Sequence, residues 1–216
     1  QKKFSEARDA IQQYLRAVSD SVVGQQLAGA IEFELKSYAT AEKYLRAVLG
    51  KTPELGISRQ ILIASYLRGG QPDKALTALD PILTKIDNNS TWLALAGEVF
   101  MQNGDETKAA AYFSKAAALD PGNAGKQTAV ALTHLAMGET ETAYRELEKI
   151  ASTDSDTRAD LALIASQLRN RKFDQALKSI DGLEKKQPDN PLADNLRGLA
   201  WLGKGKQTDA RKSFEK

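Results

Sequence analysis

The side chains that most often carry out chemistry in proteins are scarce in this sequence. Its 216 residues include one histidine, His134, and no cysteine. Without cysteine the sequence can form no disulfide, zinc–thiolate site or thiol nucleophile. No group of His, Asp and Glu residues has the spacing of a metal site either. We therefore predict that the protein is not an enzyme and has no catalytic residue, no metal and no cofactor.

The groups that could still suggest a site have structural interpretations. His134 occupies a helix position that points into a helical pair, where a packed structural histidine is the favoured interpretation. The acidic run from Glu139 to Glu148 fits a turn and a solvated helix face. Gly69-Gly70 lacks the strand–loop–helix context of a phosphate-binding loop. Trp92 and Trp201 are interpreted as packing residues rather than ligand platforms.

Composition limits the classes of partner. The chain is 42% hydrophobic and 27% charged, with a net charge of +2, which is typical of a globular protein. No apolar run approaches the length of a membrane span, so no membrane-spanning segment is predicted in this sequence. Lys and Arg are not organised with aromatic residues, so we predict no nucleic-acid binding. A protein or peptide is the predicted partner.

An internal repeat in the sequence predicts the helices of this protein. Alanine recurs at steps of 33 or 34 residues, with a large apolar residue four positions after it. The residue twelve positions before it is mostly small, as Gly97 is for Ala109. An alanine and the residues four and seven positions later share one helix face. The seven alanines are Ala7, Ala41, Ala75, Ala109, Ala143, Ala176 and Ala210.

Each repeat is predicted to form two helices joined by a tight turn. In one repeat the helices are predicted over residues 90–102 and 106–119. Gly104 can take the left-handed conformation that ends a helix, and Asp105 can cap the next one. Pro81 lies in the second helix of the repeat at residues 56–89, where it predicts a kink or an early break. Small residues allow paired helices to approach closely, and a pair buries its apolar face by stacking on its neighbour.

A helix pair of this length and spacing resembles the tetratricopeptide repeat (TPR). The resemblance implies an all-α fold, a right-handed superhelical α-solenoid of antiparallel helix pairs. The sequence departs from the pattern at Lys36 and Arg171, where the turn usually has Gly, and at Glu32 and Gln167, where an aromatic residue is usual. The match is strongest in residues 90–123, at Leu93, Ala96, Gly97, Phe100, Gly104, Ala109, Phe113, Ala116 and Pro121.

We predict a single TPR array over residues 1–216. Residues 1–21 and 191–216 are partial repeats. Residues 1–21 correspond to the second helix of a pair, without its first helix. Neither resembles a polar end cap, so we expect the sequence to be a fragment of a longer protein. The whole repeats are residues 22–55, 56–89, 90–123, 124–156 and 157–190.

The C-terminal third shows a narrower resemblance. The segments KFDQAL (172–177), LEKKQPDN (183–190) and NLRGL (195–199) resemble the PEP-CTERM system TPR-repeat lipoprotein (PrsT-like) of exopolysaccharide-producing Gram-negative bacteria. This resemblance implies a periplasmic or outer-membrane-associated protein that serves envelope protein sorting or exopolysaccharide export. It also implies a lipid anchor outside the given sequence, which would itself be a soluble fragment.

The first helix of each pair lines the concave, partner-binding face in TPR arrays. By this resemblance the candidate groove consists of residues from six first helices. They are Val23, Gln26, Phe33, Ile57, Gln60, Leu67, Glu98, Met101, Thr128, Leu132, Leu135, Arg158, Leu161, Leu168, Asn195, Leu199 and Leu202.

We therefore predict a non-enzymatic scaffold that binds a protein or peptide through this concave face. One alternative is a structural spacer or assembly element that acts through the array ends or the convex face. Another is a carbohydrate-binding module, although Phe33 is the one aromatic residue of the predicted groove. The carboxylate clamp of chaperone-binding TPR proteins is not expected. Its Asn position is filled here by Ala30, Ala64, Glu98, Leu132, Ala165 and Leu199.

Overall fold

The computed structural model describes residues 2–216, which form thirteen α-helices and one 3₁₀ helix without any β-strand. The predicted all-α fold class is confirmed. No helix among these residues is both long and apolar enough to cross a membrane. The helices are α1 (Lys2–Ala17), α2 (Val22–Glu34), α3 (Tyr38–Lys51), α4 (Gly56–Arg68), α5 (Pro72–Leu79), the 3₁₀ helix (Asp80–Lys85), α6 (Ser90–Gln102), α7 (Glu106–Leu119), α8 (Ala124–Ala136), α9 (Thr140–Thr153), α10 (Arg158–Arg169), α11 (Phe173–Lys186), α12 (Leu192–Gly203) and α13 (Gln207–Phe214).

The chain divides into two compact units. Unit 1 ends at Leu119, and unit 2 runs from Asp120 to Lys216. In unit 1, α1 packs on α2 and the pairs α2–α3, α4–α5 and α6–α7 follow. Unit 2 contains the pairs α8–α9, α10–α11 and α12–α13. We call the first helix of each pair the A helix and the second the B helix. Within each unit, consecutive A helices contact each other.

The turn and cap predicted for the pair α6–α7 are confirmed. Gly104 has a φ of 77°, in the left-handed region. The carboxylate of Asp105 accepts a hydrogen bond from the backbone N–H of Lys108 at 3.0 Å. The cap satisfies one of the N–H groups that the first turn of a helix leaves free.

The early break predicted at Pro81 is also confirmed. Helix α5 ends at Leu79 after 8 residues, and Asp80–Lys85 continues as a 3₁₀ helix. Proline has no N–H to donate, and its ring clashes with the carbonyl four residues earlier. The B helix of this pair is therefore replaced in its second half by a tighter and less regular helix.

Small residues of the A helices face large residues of their B partners. A Cβ atom on Gly97 would lie 2.7 Å from Cδ1 of Phe113, and one on Gly29 would lie 2.7 Å from Cγ of Leu45. Gly198 faces the ring of Phe214 in the same way. The predicted close approach is confirmed, because only a residue without a side chain leaves this space.

The repeating alanines and the large residues four positions after them lie in the core. The alanines at 41, 75, 109, 143 and 176 are fully buried. The large residues after them are also buried, namely Leu45, Leu79, Phe113, Leu147 and Ile180.

The replacement of Gly97 by Ala tests this packing. We expect Gly97→Ala to lower the free energy of unfolding by about 1–3 kcal/mol, because the new Cβ forces the Phe113 ring to move. Gly182→Ala on α11 is the control, since a Cβ there meets no atom within 4 Å. Its better helix propensity should raise stability by about 0.5–1 kcal/mol. Urea unfolding followed by circular dichroism measures both, and an equal gain in both variants would contradict the packing argument.

Two turns take the left-handed conformation without glycine. Lys36 has a φ of 62° and Arg171 a φ of 58°. They occupy the turn position that Gly104 occupies in the pair α6–α7. A side chain in this conformation costs about 1–2 kcal/mol, because Cβ crowds the backbone carbonyl.

Glycine at these two turns should therefore stabilise the protein. We expect Lys36→Gly and Arg171→Gly each to raise the free energy of unfolding by about 1 kcal/mol. The matched control is Lys43→Gly, at an exposed position inside α3, which should lower it by about 1 kcal/mol. Chemical unfolding of the three variants gives the comparison. A loss at the turns as large as that of the control would show that they carry no strain.

The two unusual polar residues of the A helices are buried. Glu32 and Gln167 are both almost inaccessible to solvent. The Oε1 atom of Gln167 has no hydrogen-bond partner among the described residues. An unpaired buried polar atom lowers stability by about 1–3 kcal/mol. These departures from the repeat pattern therefore lie inside the helix pairs and not on a binding surface.

Candidate functional site

The A-helix face of unit 1 exposes apolar side chains at matching positions of successive repeats. Val23 on α2 is 73% exposed and Ile57 on α4 is 64% exposed. Leu27, one turn after Val23, is also exposed and was not predicted from the sequence. Its spacing of four residues from Val23 was the signal that could have identified it. Large aliphatic side chains rarely remain in water without a functional reason when they cluster.

The other predicted groove residues of unit 1 differ in accessibility. Leu67 is only 6% exposed, so the prediction that it lines an open groove is corrected. It packs within the unit instead. The Phe33 ring lies 5.8 Å from the ring of Tyr38, centroid to centroid, and is only partly accessible. Glu98 is exposed, and the partly accessible residues are Gln26, Phe33, Gln60 and Met101.

Glu98 brings a negative charge to this face. Part of its side chain reaches solvent, but its neighbours exclude much of the water from the carboxyl group. This burial raises the pKa of Glu98, and the positive charge of Arg68 on α4 lowers it in part. The negative charge of Glu98 is therefore partly balanced by Arg68 of the preceding A helix.

The A-helix face of unit 2 exposes leucines. Leu132 on α8 is 42% exposed, and Leu199 and Leu202 on α12 are 51% and 49% exposed. Arg158 and Asn195 are exposed as well, whereas Leu135, Leu161 and Leu168 are partly accessible.

Thr128 is a further correction. It is only 5% exposed, and its hydroxyl donates to the carbonyl oxygen of Ala124 at 2.8 Å. Its side chain therefore satisfies itself on the helix backbone and is not available to a partner.

A cavity of about 400 Å³ lies on the unit 2 face between α8 and α10. The apolar part of its lining comes from both helices. These residues are Leu132, Leu135, Ala136, Ala162 and Ala165.

The remaining wall of this cavity is polar and contains residues that sequence reasoning missed. They are Thr140, Ser166, Arg169 and Asn170. The buried hydroxyl of Tyr144 accepts a hydrogen bond from Asn170 Nδ2 at 3.0 Å and lies 3.3 Å from Ser166 Oγ. No ion-pair partner of Arg169 occurs among the described residues. Arg169 follows the predicted Leu168 directly, so adjacency at the end of a first helix was the available signal.

The single histidine has structural partners. His134 Nδ1 lies 2.7 Å from Glu146 Oε2, which links α8 to α9, and its Nε2 lies 4.0 Å from Glu139 Oε2. Within residues 2–216 no three His, Cys, Asp or Glu side chains are grouped so that they could hold a metal ion. A residue of the acidic run also has a structural partner, since Glu141 Oε1 lies 2.6 Å from Lys172 Nζ.

Comparison with protein families decides the assignment that the helix pairs suggest. A model described as tetratricopeptide repeat matches residues 63–124 and 161–216, together more than half of the chain. The chain belongs to the tetratricopeptide repeat family. TPR folds commonly bind protein partners, and TPR proteins are generally non-enzymatic scaffolds. Comparison with curated proteins finds no significant sequence match.

Solved structures share the TPR fold of this chain at low sequence identity. MamA from Desulfovibrio magneticus RS-1 has a TM-score of 0.63 at 18% identity, over 76% of this chain and 87% of that chain. A thermophilic TPR protein from Thermus thermophilus has a TM-score of 0.68 at 16% identity, over 84% and 100%. PilF of Pseudomonas aeruginosa has a TM-score of 0.65 at 17% identity, over 98% and 90%. At these identities the similarity shows the fold alone.

The pKa of Glu98 gives a pH-dependent prediction. Because its pKa is raised from 4.5, the protonated form contributes stability below that pH, and this contribution is lost as pH rises through the folded pKa. Glu98→Gln should therefore match the wild type at acidic pH and be the more stable protein at neutral pH. Thermal unfolding across this range measures the difference.

A double-mutant cycle with Arg68 checks the cause. Arg68→Gln should steepen the wild-type loss of stability with rising pH, and should add no pH dependence in the Glu98→Gln background. A neutral-pH gain that is equally large at acidic pH would contradict the role of ionisation.

Proposed function

We propose that this protein is a non-enzymatic TPR scaffold that binds a protein or peptide through its A-helix faces. The observation that carries the proposal is the exposure of aliphatic side chains on A helices of both units. Val23 and Ile57 expose such side chains in unit 1, and Leu132, Leu199 and Leu202 do so in unit 2. Water-exposed aliphatic clusters on helices are typical of surfaces that a partner covers.

Binding would be driven by burial of these side chains on preformed helices. The A helices are held by their B partners through the fully buried alanines and large residues of the core. Little ordering is then needed when a partner binds, which keeps the entropic cost of association low. Charged side chains at the edge of each face steer the approach of the partner and help to select it.

We propose a single TPR array as the working element, in bacterial envelope protein sorting or exopolysaccharide export. Support comes from segments 172–177, 183–190 and 195–199, which resemble the PEP-CTERM system lipoprotein. A periplasmic or outer-membrane-associated location and a lipid anchor outside this sequence belong to the same proposal.

The alternative is a structural spacer or assembly element that acts through the array ends or the convex face. A carbohydrate-binding role has less support, since Phe33 is partly buried and packs on Tyr38.

Two acidic substitutions on the unit 2 face test the scaffold function. We expect Leu132→Glu/Leu168→Glu to lose a partner that the wild type retains in pull-downs from envelope extract, because each charge disrupts apolar burial. A loss of affinity of at least about tenfold is expected for two such sites.

The matched control adds the same charges to the B helices of unit 2. Ser152→Glu/Gln175→Glu changes two exposed positions on α9 and α11 and should retain the partner. Circular dichroism establishes that both double variants are folded. Equal retention by wild type and groove variant would reject the A-helix face of unit 2 as the binding surface.

A further inference from the structure

We propose that the cavity between α8 and α10 binds an acidic amphipathic helix of a partner protein. An aliphatic side chain of that helix enters the cavity, and a neighbouring carboxylate pairs with Arg169. The inference rests on the proposed function, because it names the partner chemistry of the unit 2 A-helix face.

The composition of the cavity suits an aliphatic side chain. Its volume is about 400 Å³, and leucine and alanine side chains from both helices line its apolar part. Leu132 is 42% exposed there, so a side chain from a partner would remove apolar surface from water. A leucine or another aliphatic residue fits such a space.

The cavity also contains a positive charge that no acidic residue of its lining compensates. Arg169 is the one charged residue of the cavity lining, and no Asp or Glu lines it. Arg169 also has no ion-pair partner elsewhere in the part of the chain that the structure describes. A guanidinium group beside an apolar cavity favours a ligand that supplies a carboxylate.

Two other cavities show the contrast. The one between α3 and α5 contains Arg46 and Lys74, but Glu42 lies 3.7 Å and 3.4 Å from their respective nitrogens. In the one between α9 and α11, Asp160 Oδ2 lies 2.6 Å from Lys186 Nζ. Each of these cavities carries several charged residues, including Arg59 in the first and Glu148, Lys178 and Lys185 in the second. Arg169 differs from them in being the one charged residue of its cavity.

A second polar group supports the carboxylate. The side-chain amide of Asn170 donates one hydrogen to Tyr144 at 3.0 Å. An Asn amide has two N–H donors, so one remains beside Arg169. The Tyr144 hydroxyl is held by its burial and its contact with Ser166 Oγ at 3.3 Å, which fixes the orientation of this donor.

The apolar character of the face favours a helix over an extended peptide. An extended peptide needs hydrogen-bond partners for its backbone, and the exposed leucines at 132, 199 and 202 offer none. A helix satisfies its own backbone and presents leucines at positions i, i+3, i+4 and i+7 on one side. Acidic residues at the border of that stripe would reach Arg169.

The test uses three designed probes, each a fluorescein-labelled helix of about 18 residues. All three carry the same leucine stripe, and its border positions are Glu, Gln or Lys. Fluorescence anisotropy gives the Kd of each. We expect the wild type to bind the Glu probe about tenfold more tightly than the Gln probe, with a preference that weakens as salt rises.

Substitutions of Arg169 test the role of its guanidinium group. Arg169→Gln should abolish the preference for Glu over Gln, and Arg169→Glu should prefer the Lys probe. Arg145→Gln removes an exposed arginine of α9 in the same unit and should keep the wild-type preference. Circular dichroism confirms that each variant is folded.

Several results would overturn the inference. They are equal binding of the Glu and Gln probes, an acid preference that survives Arg169→Gln, or no binding of any probe. Leu132→Asp separates this inference from the proposed function. If it abolishes binding of all probes while Arg169→Gln changes nothing, the A-helix face binds helices regardless of their charge, and only the inference fails.

Discussion

Close approach of two helices at a glycine is the constraint on which the pairs α2–α3, α6–α7 and α12–α13 depend. Gly97 leaves room for the ring of Phe113, and Gly29 leaves room for Leu45. The tight contact turns two marginal helices into one rigid pair, with its apolar interior already filled. Because the B partner holds the A helix in place, apolar side chains such as Val23, Ile57 and Leu199 remain exposed on the outer side of their A helices.

The sequence predicted the parts of the fold that repeat. The alanine spacing placed the helices, and the expected bounds of residues 90–102 and 106–119 agree with α6 and α7. Glycine, aspartate and proline act locally, so the turn at Gly104 and the break at Pro81 were also predictable. Periodicity identifies such features because each repeat offers an independent copy of the same physical requirement.

The accessibility of the candidate surface was harder to predict. Leu67 and Thr128 occupy first-helix positions but are buried, whereas Leu27 is exposed. Helical phase gives the direction of a side chain, but the neighbouring helix determines whether it is covered. Arg169 was missed for a related reason. Its importance comes from the absence of a nearby carboxylate, which depends on residues distant in sequence.

The 3₁₀ segment Asp80–Lys85 has a consequence for how the protein opens. None of its six residues is buried, and its hydrogen bonds have the poorer geometry of the i→i+3 pattern. In repeat proteins, stability is a sum of terms for each repeat and for its contacts with neighbours, so one weak segment acts locally. Backbone amides here should exchange with solvent by small fluctuations that leave the neighbouring pairs intact. We therefore expect partial unfolding of unit 1 to begin in this segment, where a protease would cleave before the protein unfolds as a whole.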